Sequence, residues 1–176
     1  MIYLFLADGF EEIEALATLD ILRRAGLPVL TVGVTGDTVT GAHGILVETD
    51  VPVSMVEPDK MEAFILPGGM PGTTNLENSK AVMTLLDFAA ENNILICAIC
   101  AAPMILGKKG LLRGKKATCY PGFEKYLDGA TLKKGVVRDE NYITASGAGV
   151  ALPFGYAICE ALGRDADKLK KEMQYE

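Results

Sequence analysis

The sequence has little positive charge and few cysteines, and each shortage excludes a class of function. Lysine and arginine total 17 against 23 acidic residues, which gives a net charge of −6. An acidic chain without a concentrated basic surface does not attract a phosphate backbone, so we predict no nucleic-acid partner. Four cysteines are too few for a disulfide scaffold and indicate a reducing, cytoplasmic compartment.

Long apolar runs and paired metal-ligand motifs are also missing. No segment approaches the roughly 20 apolar residues of a membrane helix, and the start MIYLFLADGF lacks the basic residues and long apolar segment of a signal peptide. We therefore predict no membrane partner. The four cysteines and single histidine are dispersed, without the paired spacing of a zinc site. We predict no bound metal.

The chain does have enough apolar residues for one good core. Its 176 residues are 49% hydrophobic, which suits one domain over residues 1–176 and is short for two. Apolar runs typical of buried strands alternate with helical patterns, which predicts an α/β fold with a mostly parallel sheet and helices on both faces. In such sheets, ligands bind at the carboxyl ends of strands.

The predicted strands are Ile2–Leu6, Leu27–Val34, Ala63–Leu66, Ile94–Ile99, Lys116–Cys119 and Tyr142–Ala145. Helices are predicted over residues 11–26, over Lys80–Glu91 with Ser79 as the N-cap, after Cys100, from Gly149 to Leu162, and from Arg164 onwards. In the first helix the apolar stripe comprises Ile13, Leu16, Leu19, Ile21 and Leu22. We expect a hairpin within Ile45–Val53 and a polar loop after Pro67–Gly69.

The stretch ILICAICAAP, from Ile94 to Pro103, is the one most suggestive of chemistry. Its apolar residues predict a buried strand, which ends at Cys100 and is followed by two small residues and a proline suited to a first helical turn. A cysteine there lies at the carboxyl edge of a sheet and at a helix N-terminus, so we expect its pKa to fall below the usual value of about 8.5. The layout is that of a nucleophile elbow with cysteine in place of serine.

Three glutamates follow the first strand: Glu11, Glu12 and Glu14. We expect Glu11 and Glu12 to complement the helix N-terminus in water. Glu14 can instead face the sheet end and reach Cys100. A neutral Glu14 would there donate a hydrogen bond to a thiolate, and the two groups would titrate as a unit.

Other residues are weaker candidates for a site. Amides of Gly68 and Gly69, together with that of Ala101, can form an oxyanion pocket, although glycine pairs also serve simply as turns. The only histidine, His43, is expected on a surface loop unless a partner chain covers the site. Arg24 either complements the C-terminus of its helix or binds an anion.

The remaining cysteines are expected to be secondary. Cys97 and Cys100 form a CxxC, but Cys97 falls inside the strand, so a thioredoxin-like pair is not expected. Cys97 and Cys159 suit the core. Cys119 ends a strand beside Tyr120, where it is either core or a neighbour of the Cys100 crevice.

Together the segments ADGFEEIE, FILPGGMPG, ILICAICAAP, TCYPGFE and TASGAGVALPFGYAI resemble the ThiJ/PfpI superfamily, in the branch of the Parkinson's-disease-associated protein deglycase. The resemblance implies a flavodoxin-like three-layer sandwich of the class I glutamine amidotransferase type, a homodimer and no cofactor. It also implies a reactive Cys100, a protonated Glu14 beside it and an anion pocket that includes Gly69 and Ala101. Arg24 would lie near the dimer interface.

Two departures from the family pattern matter. Ala101 stands where the protease-like branch has histidine, so peptidase activity is not expected. Tyr120 stands where some close relatives have histidine, which leaves the general base open.

Three functions are therefore compared. The first is a cofactor-independent glyoxalase or protein deglycase in stress defence, which uses Cys100 as a nucleophile on small dicarbonyls or glycated proteins. The second is a redox sensor or chaperone that acts through oxidation of Cys100. The third is a binding domain in which the cysteine is structural.

Overall fold

The computed structural model describes residues 1–175. Its strands are β1 (Ile2–Leu6), β2 (Val29–Gly33), β3 (Thr38–Thr40), β4 (Leu46–Glu48), β5 (Val51–Pro52), β6 (Ala63–Leu66), β7 (Leu95–Ile99), β8 (Lys116–Ala117), β9 (Thr131–Leu132), β10 (Val136–Asp139) and β11 (Tyr142–Ala145). Its α-helices are α1 (Glu12–Arg24), α2 (Gly72–Asn78), α3 (Lys80–Glu91), α4 (Pro103–Lys108), α5 (Ala151–Ala161) and α6 (Ala166–Glu172). Single 3-10 turns occupy Val53–Met55, Pro58–Lys60, Glu124–Tyr126 and Ala148–Val150.

Seven strands form the main sheet, in the order β10-β11-β7-β6-β1-β2-β5. All neighbours are parallel except the edge pair β10 and β11. The carboxyl ends of β1, β6 and β7 consequently meet at one edge of the sheet, where the chain continues into Asp8, Pro67 and Cys100. This arrangement confirms the predicted mostly parallel sheet and explains why distant sequence segments share one site.

Alternating side chains of β1 divide the core into two layers. Ile2, Leu4 and Leu6 are buried against α1 and α5, whereas Tyr3 and Phe5 are buried on the opposite face with α3. Because successive strand residues point to opposite faces, one apolar strand supports helices on both sides. The result is the flavodoxin-like three-layer α/β sandwich that was expected.

Helix α3 matches its prediction, whereas α1 presents a different face from the one predicted. The Oγ atom of Ser79 accepts a hydrogen bond from the Val82 amide at 3.4 Å, as expected for an N-cap. In α1, however, Ile13 is 58% exposed, while Glu12 and Glu14 are 4% and 1% exposed. The predicted apolar stripe is therefore wrong at Ile13, because the first turn of α1 points its glutamates toward the polar strand ends.

Several loops contain structure that was not predicted. The segment after Gly69, predicted as a loop, contains α2, whose sequence has no apolar helical period. A hydrogen bond from Asn75 Nδ2 of α2 to the Asp8 carbonyl, at 2.8 Å, attaches this helix to the turn after β1. The predicted hairpin is displaced: β3 pairs with β4, while β5 joins the main sheet.

Two further differences from the prediction concern strands in the second half of the chain. β8 has only two residues and pairs with β9 outside the main sheet, so the predicted strand to Cys119 is too long. The antiparallel edge strand β10 was not predicted. No helix among residues 1–175 is both long and apolar enough to cross a membrane.

Candidate active site

Cys100 occupies the turn directly after β7. Its φ angle is +65°, a left-handed conformation that is uncommon for a residue with a side chain and is found at strained functional turns. The turn is held from both sides, since the Cys100 amide donates to the Ala145 carbonyl at 2.8 Å and the Cys100 carbonyl accepts from the Tyr120 amide at 2.7 Å. This geometry is that of a nucleophile elbow.

Glu14 brings a buried carboxyl to the elbow. Its Oε2 atom accepts a hydrogen bond from the Gly68 amide at 2.8 Å, and its carboxyl lies beside the Cys100 thiol and interacts with it electrostatically. The Gly68 amide is therefore occupied by Glu14 and is not free for an oxyanion, unlike in the predicted pocket. Gly68 has a second role, because a Cβ atom there would lie 2.5 Å from both Cys100 Cβ and Glu14 Oε2.

Two backbone amides favour negative charge on the sulfur of Cys100. The amides of Gly69 and Ala101 both act to lower the thiol pKa. Gly69 can present its amide in this way because its φ angle is +91°, which a residue with a Cβ atom rarely adopts. These amides form a small site for negative charge.

The pKa values of Cys100 and Glu14 depend on each other. Burial raises the pKa of the Glu14 carboxyl to about 7, against the effect of its hydrogen bonds with Cys100 and Gly68. Burial, together with the charge and hydrogen bond of Glu14, raises the pKa of the Cys100 thiol to about 12. The first proton therefore leaves the pair near pH 7 and the second only in strong alkali. Above pH 7 the carboxyl is ionised while the thiol keeps its proton.

The predicted lowering of the thiol pKa is wrong in direction for a physical reason. Helix α4 has only six residues and begins at Pro103, so its N-terminus gives little stabilisation to a thiolate. Burial of the thiol is the largest cause of the rise, and the neighbouring Glu14 carboxylate adds to it by repelling negative charge at the sulfur. The reactive form is consequently a thiol beside a carboxylate that can accept its proton, rather than a free thiolate.

Tyr120 lies beside this pair, whereas Arg24 and His43 do not contact it. A Cβ atom built on Gly147 would lie 3.3 Å from the Tyr120 ring and 4.0 Å from Cys100 Sγ, so Gly147 separates the tyrosine from the sulfur. Arg24 pairs with Asp20 at 2.6 Å on the surface of α1.

His43 is 68% exposed at its side chain and is held by Glu12. The Glu12 carboxylate accepts from the His43 amide at 2.7 Å and lies 2.9 Å from ring atom Nδ1. Glu12 is thus not the solvated residue that was expected, because it fastens the loop before β4 to α1. Sequence periodicity gave no signal for this contact across 31 positions.

One group of side chains within residues 1–175 has the spacing of metal ligands: Glu11, Glu12 and His43. Its internal hydrogen bonds account for its geometry. Of the other cysteines, Cys97 and Cys159 are fully buried, as expected.

A cavity of about 680 Å³ opens beside the elbow. Its walls are the segment 118–121 after β8, the segment 132–134 at the end of β9 and the segment 146–150 after β11. Cys119 lines this cavity, as do Tyr120 and Gly147, which also border the Cys100 elbow. The cavity was not predicted from the sequence, because its walls are loops, and loops carry no periodic pattern of apolar residues that would reveal their packing.

A left-handed cysteine turn at the carboxyl edge of a parallel sheet, facing a buried carboxyl, defines a class of cysteine-elbow α/β sandwiches. Within that class, the chain belongs to the DJ-1/PfpI family, whose profile matches residues 1–161.

Known proteins agree with this assignment. The chain is 37% identical to protein dj-1beta of Drosophila melanogaster, over 89% of this chain and 86% of that protein. It is 34% identical to the glutathione-independent glyoxalase DJR-1.2 of Caenorhabditis elegans, over 88% and 84%, and 32% identical to a deglycase of Pyrococcus abyssi, over 79% and 85%. The crystal structure of Drosophila melanogaster DJ-1beta superposes with a TM-score of 0.93, at 34% identity, over 99% of this chain and 97% of that one.

Proposed function

We propose that the chain is a cysteine-dependent hydrolase of the glyoxalase and deglycase type, which acts on reactive dicarbonyls or on their protein adducts. Relatives that carry the names glyoxalase and deglycase support the general role. The observation that carries the proposal is the left-handed Cys100 elbow next to the buried Glu14 carboxyl, with the amides of Gly69 and Ala101 nearby. A nucleophile, a proton acceptor and an anion site are thereby assembled at one point.

In the first step, the sulfur of Cys100 attacks the aldehyde carbon of a dicarbonyl such as methylglyoxal. A C–S bond forms, the carbonyl electron pair moves to oxygen, and the thiol proton passes to the Glu14 carboxylate. The amides of Gly69 and Ala101 stabilise the negative oxygen. Returning the proton from Glu14 to that oxygen gives a neutral hemithioacetal.

In the later steps, the adduct rearranges and is released. A proton leaves the carbon bound to sulfur and one is added at the neighbouring carbonyl carbon, while the hydroxyl proton of the hemithioacetal passes to the oxygen of that carbonyl; the hemithioacetal thereby becomes the thioester of lactate. Water then adds to the thioester and the C–S bond breaks, giving lactate and the Cys100 thiol. In this proposal Glu14 carries the protons.

Replacement of Cys100 tests the proposal. Lactate formation from methylglyoxal is expected to disappear in Cys100→Ser and to persist in Cys159→Ala, because Cys159 is buried in α5 away from the elbow. Circular dichroism would check that both variants fold. Turnover by Cys100→Ser at the wild-type rate would refute the proposal.

A second candidate function, redox sensing, is favoured by the same amides. Cys100 is only partly buried, and oxygens added to its sulfur would face the amides of Gly69 and Ala101. Mild peroxide followed by peptide mass spectrometry is expected to give sulfinate first at Cys100. Equal oxidation of all four cysteines would contradict a dedicated sensor.

We further propose that the chain is a cytoplasmic homodimer. The exposed apolar residues Ile13, Ile45 and Leu46 are 58%, 51% and 67% exposed. The backbone at Ile45 is tied to the start of α1, because Glu12 accepts a 3.4 Å hydrogen bond from the Ile45 amide. Large exposed apolar side chains from two neighbouring segments favour a protein interface there.

A further inference from the structure

The cavity beside Cys100 is much larger than a three-carbon dicarbonyl requires. Its volume of about 680 Å³ lies in the range of about 300–1,000 Å³ that holds drug-sized ligands. Gly147 lies between the cavity and the elbow, because it lines the cavity and a Cβ atom on it would lie 4.0 Å from Cys100 Sγ. A carbonyl compound bound at the sulfur can therefore extend a substantial group into the cavity.

The walls of the cavity differ in chemistry along its length. Nearest the elbow they include the Tyr120 ring and Pro121, and further apolar surface comes from Leu132 and Val150. These side chains suit an aryl or alkyl group. The apolar part of the wall thus selects against a fully polar substituent.

The rim of the cavity carries positive charge. Lys133 and Lys134 both line it and are exposed, and neither forms an ion pair among residues 1–175. Glu124 is the acidic residue of the wall, and its Oε2 atom accepts the Gly122 amide at 2.7 Å. Two ammonium groups against one carboxylate leave the rim positive, although the whole chain is acidic.

Hydrogen bonds hold the backbone of the basic rim in place. The Lys133 amide donates to the Ala117 carbonyl at 2.9 Å, and the Gly135 carbonyl accepts from the Ser146 amide at 3.0 Å. The two lysines are therefore held between β8 on one side and the loop after β11 on the other. Their backbone position relative to the elbow is set by hydrogen bonds.

We infer that the substrate of Cys100 is a carbonyl compound with an apolar aryl or alkyl arm that ends in an anion, a carboxylate or a phosphate, held by Lys133 and Lys134. The inference rests on the proposed function in taking Cys100 as the nucleophile. It adds the class of substrate, since neither a small neutral dicarbonyl nor a cationic one would use the basic rim.

Alkylating probes of matched shape test the inference without requiring turnover. Rates of Cys100 modification are measured with 4-(iodoacetamido)benzoate, 4-(iodoacetamido)phenylphosphonate and the neutral 4-(iodoacetamido)benzamide, each normalised to its rate with glutathione. We expect the anionic probes to react about three- to tenfold faster than the neutral one, as a pair of partly exposed ion contacts allows. The larger of the two preferences identifies carboxylate or phosphate as the terminal group.

Matched variants assign the preference to the rim. In Lys133→Ala/Lys134→Ala the anionic and neutral probes are expected to react equally fast. The control Lys80→Ala/Lys171→Ala removes the same charge from exposed positions on α3 and α6 and should keep the preference. Equal rates in the wild type, or a preference that survives loss of both rim lysines, would overturn the inference. So would slow reaction of all three aryl probes while iodoacetamide labels Cys100 rapidly.

Failure of this inference is distinguishable from failure of the proposed function. If no dicarbonyl is converted but the anionic probes are preferred, the proposed function fails and the assignment of the cavity stands. If methylglyoxal is converted to lactate but the probes show no preference, the reverse holds.

Discussion

Replacing Glu14 with glutamine is expected to stabilise the protein in alkaline solution while impairing its chemistry. The folded protein raises the pKa of Glu14 from 4.5 to about 7. Between these values the folded chain keeps a proton that the unfolded chain releases, so the free energy of unfolding falls as the pH rises. Since one pKa unit corresponds to about 1.4 kcal/mol, the loss by pH 8 is about 3 kcal/mol.

Glutamine removes this loss because it has no proton to release. It also keeps an oxygen that can accept from the Gly68 amide, so the hydrogen bond is retained. At pH 5 we expect Glu14→Gln and the wild type to have similar free energies of unfolding. At pH 8 the variant should be more stable by about 2–3 kcal/mol.

Urea unfolding at several pH values between 5 and 8 measures this difference. Glu91→Gln, on the exposed surface of α3, is the matched control and should follow the wild type. The reasoning is refuted if Glu14→Gln shows the same decline in stability with pH as the wild type, since the raised pKa would then not belong to Glu14.

Three further predictions concern the surroundings of the pair. Gly68→Ala places a Cβ atom 2.5 Å from Cys100 Cβ, so it should destabilise the fold by about 1–3 kcal/mol and slow alkylation of Cys100. An unchanged urea midpoint and an unchanged labelling rate would argue against this packing. Burial opposes ionisation of Glu12, but hydrogen bonds from His43 and the Ile45 amide outweigh burial and lower the pKa of Glu12. The ionised Glu12 therefore stabilises the fold above pH 4.5, and this stabilisation is lost as the pH falls through the lowered pKa. Glu12→Gln should therefore reduce the loss of stability in acid, and an unaltered acid transition would contradict this. Leu46→Glu should convert a dimer into a monomer in light scattering, whereas an unchanged mass would place the interface elsewhere.

The elbow could be predicted because each of its signals is local. An apolar strand, a cysteine, two small residues and a proline follow one another between Ile94 and Pro103, and the parallel sheet follows from the alternation of strands and helices. Glu14 could be proposed as a partner because the carboxyl ends of parallel strands meet at one edge. These predictions use only short-range pattern and one rule of sheet topology.

Features that depend on contacts between distant segments could not be predicted in the same way. Helix α2 is stabilised by Asn75 bonding to Asp8, and the burial of Glu12 depends on the loop that carries His43. The direction of the Cys100 pKa shift was misjudged for a similar reason. The sequence places a helix after Cys100, but burial of the thiol and its contact with the Glu14 carboxylate, which outweigh a six-residue helix, depend on the folded geometry.

We propose that Cys100 and Glu14 act as one ionising pair. The pH dependence of iodoacetamide labelling at Cys100, read by peptide mass spectrometry in the wild type and in Glu14→Gln, tests this most directly. The wild-type rate should rise through an inflection near pH 7, where the first proton leaves the pair. In Glu14→Gln this inflection should vanish, since the group that releases the first proton is gone. An inflection near pH 7 that persists unchanged in Glu14→Gln would contradict the account.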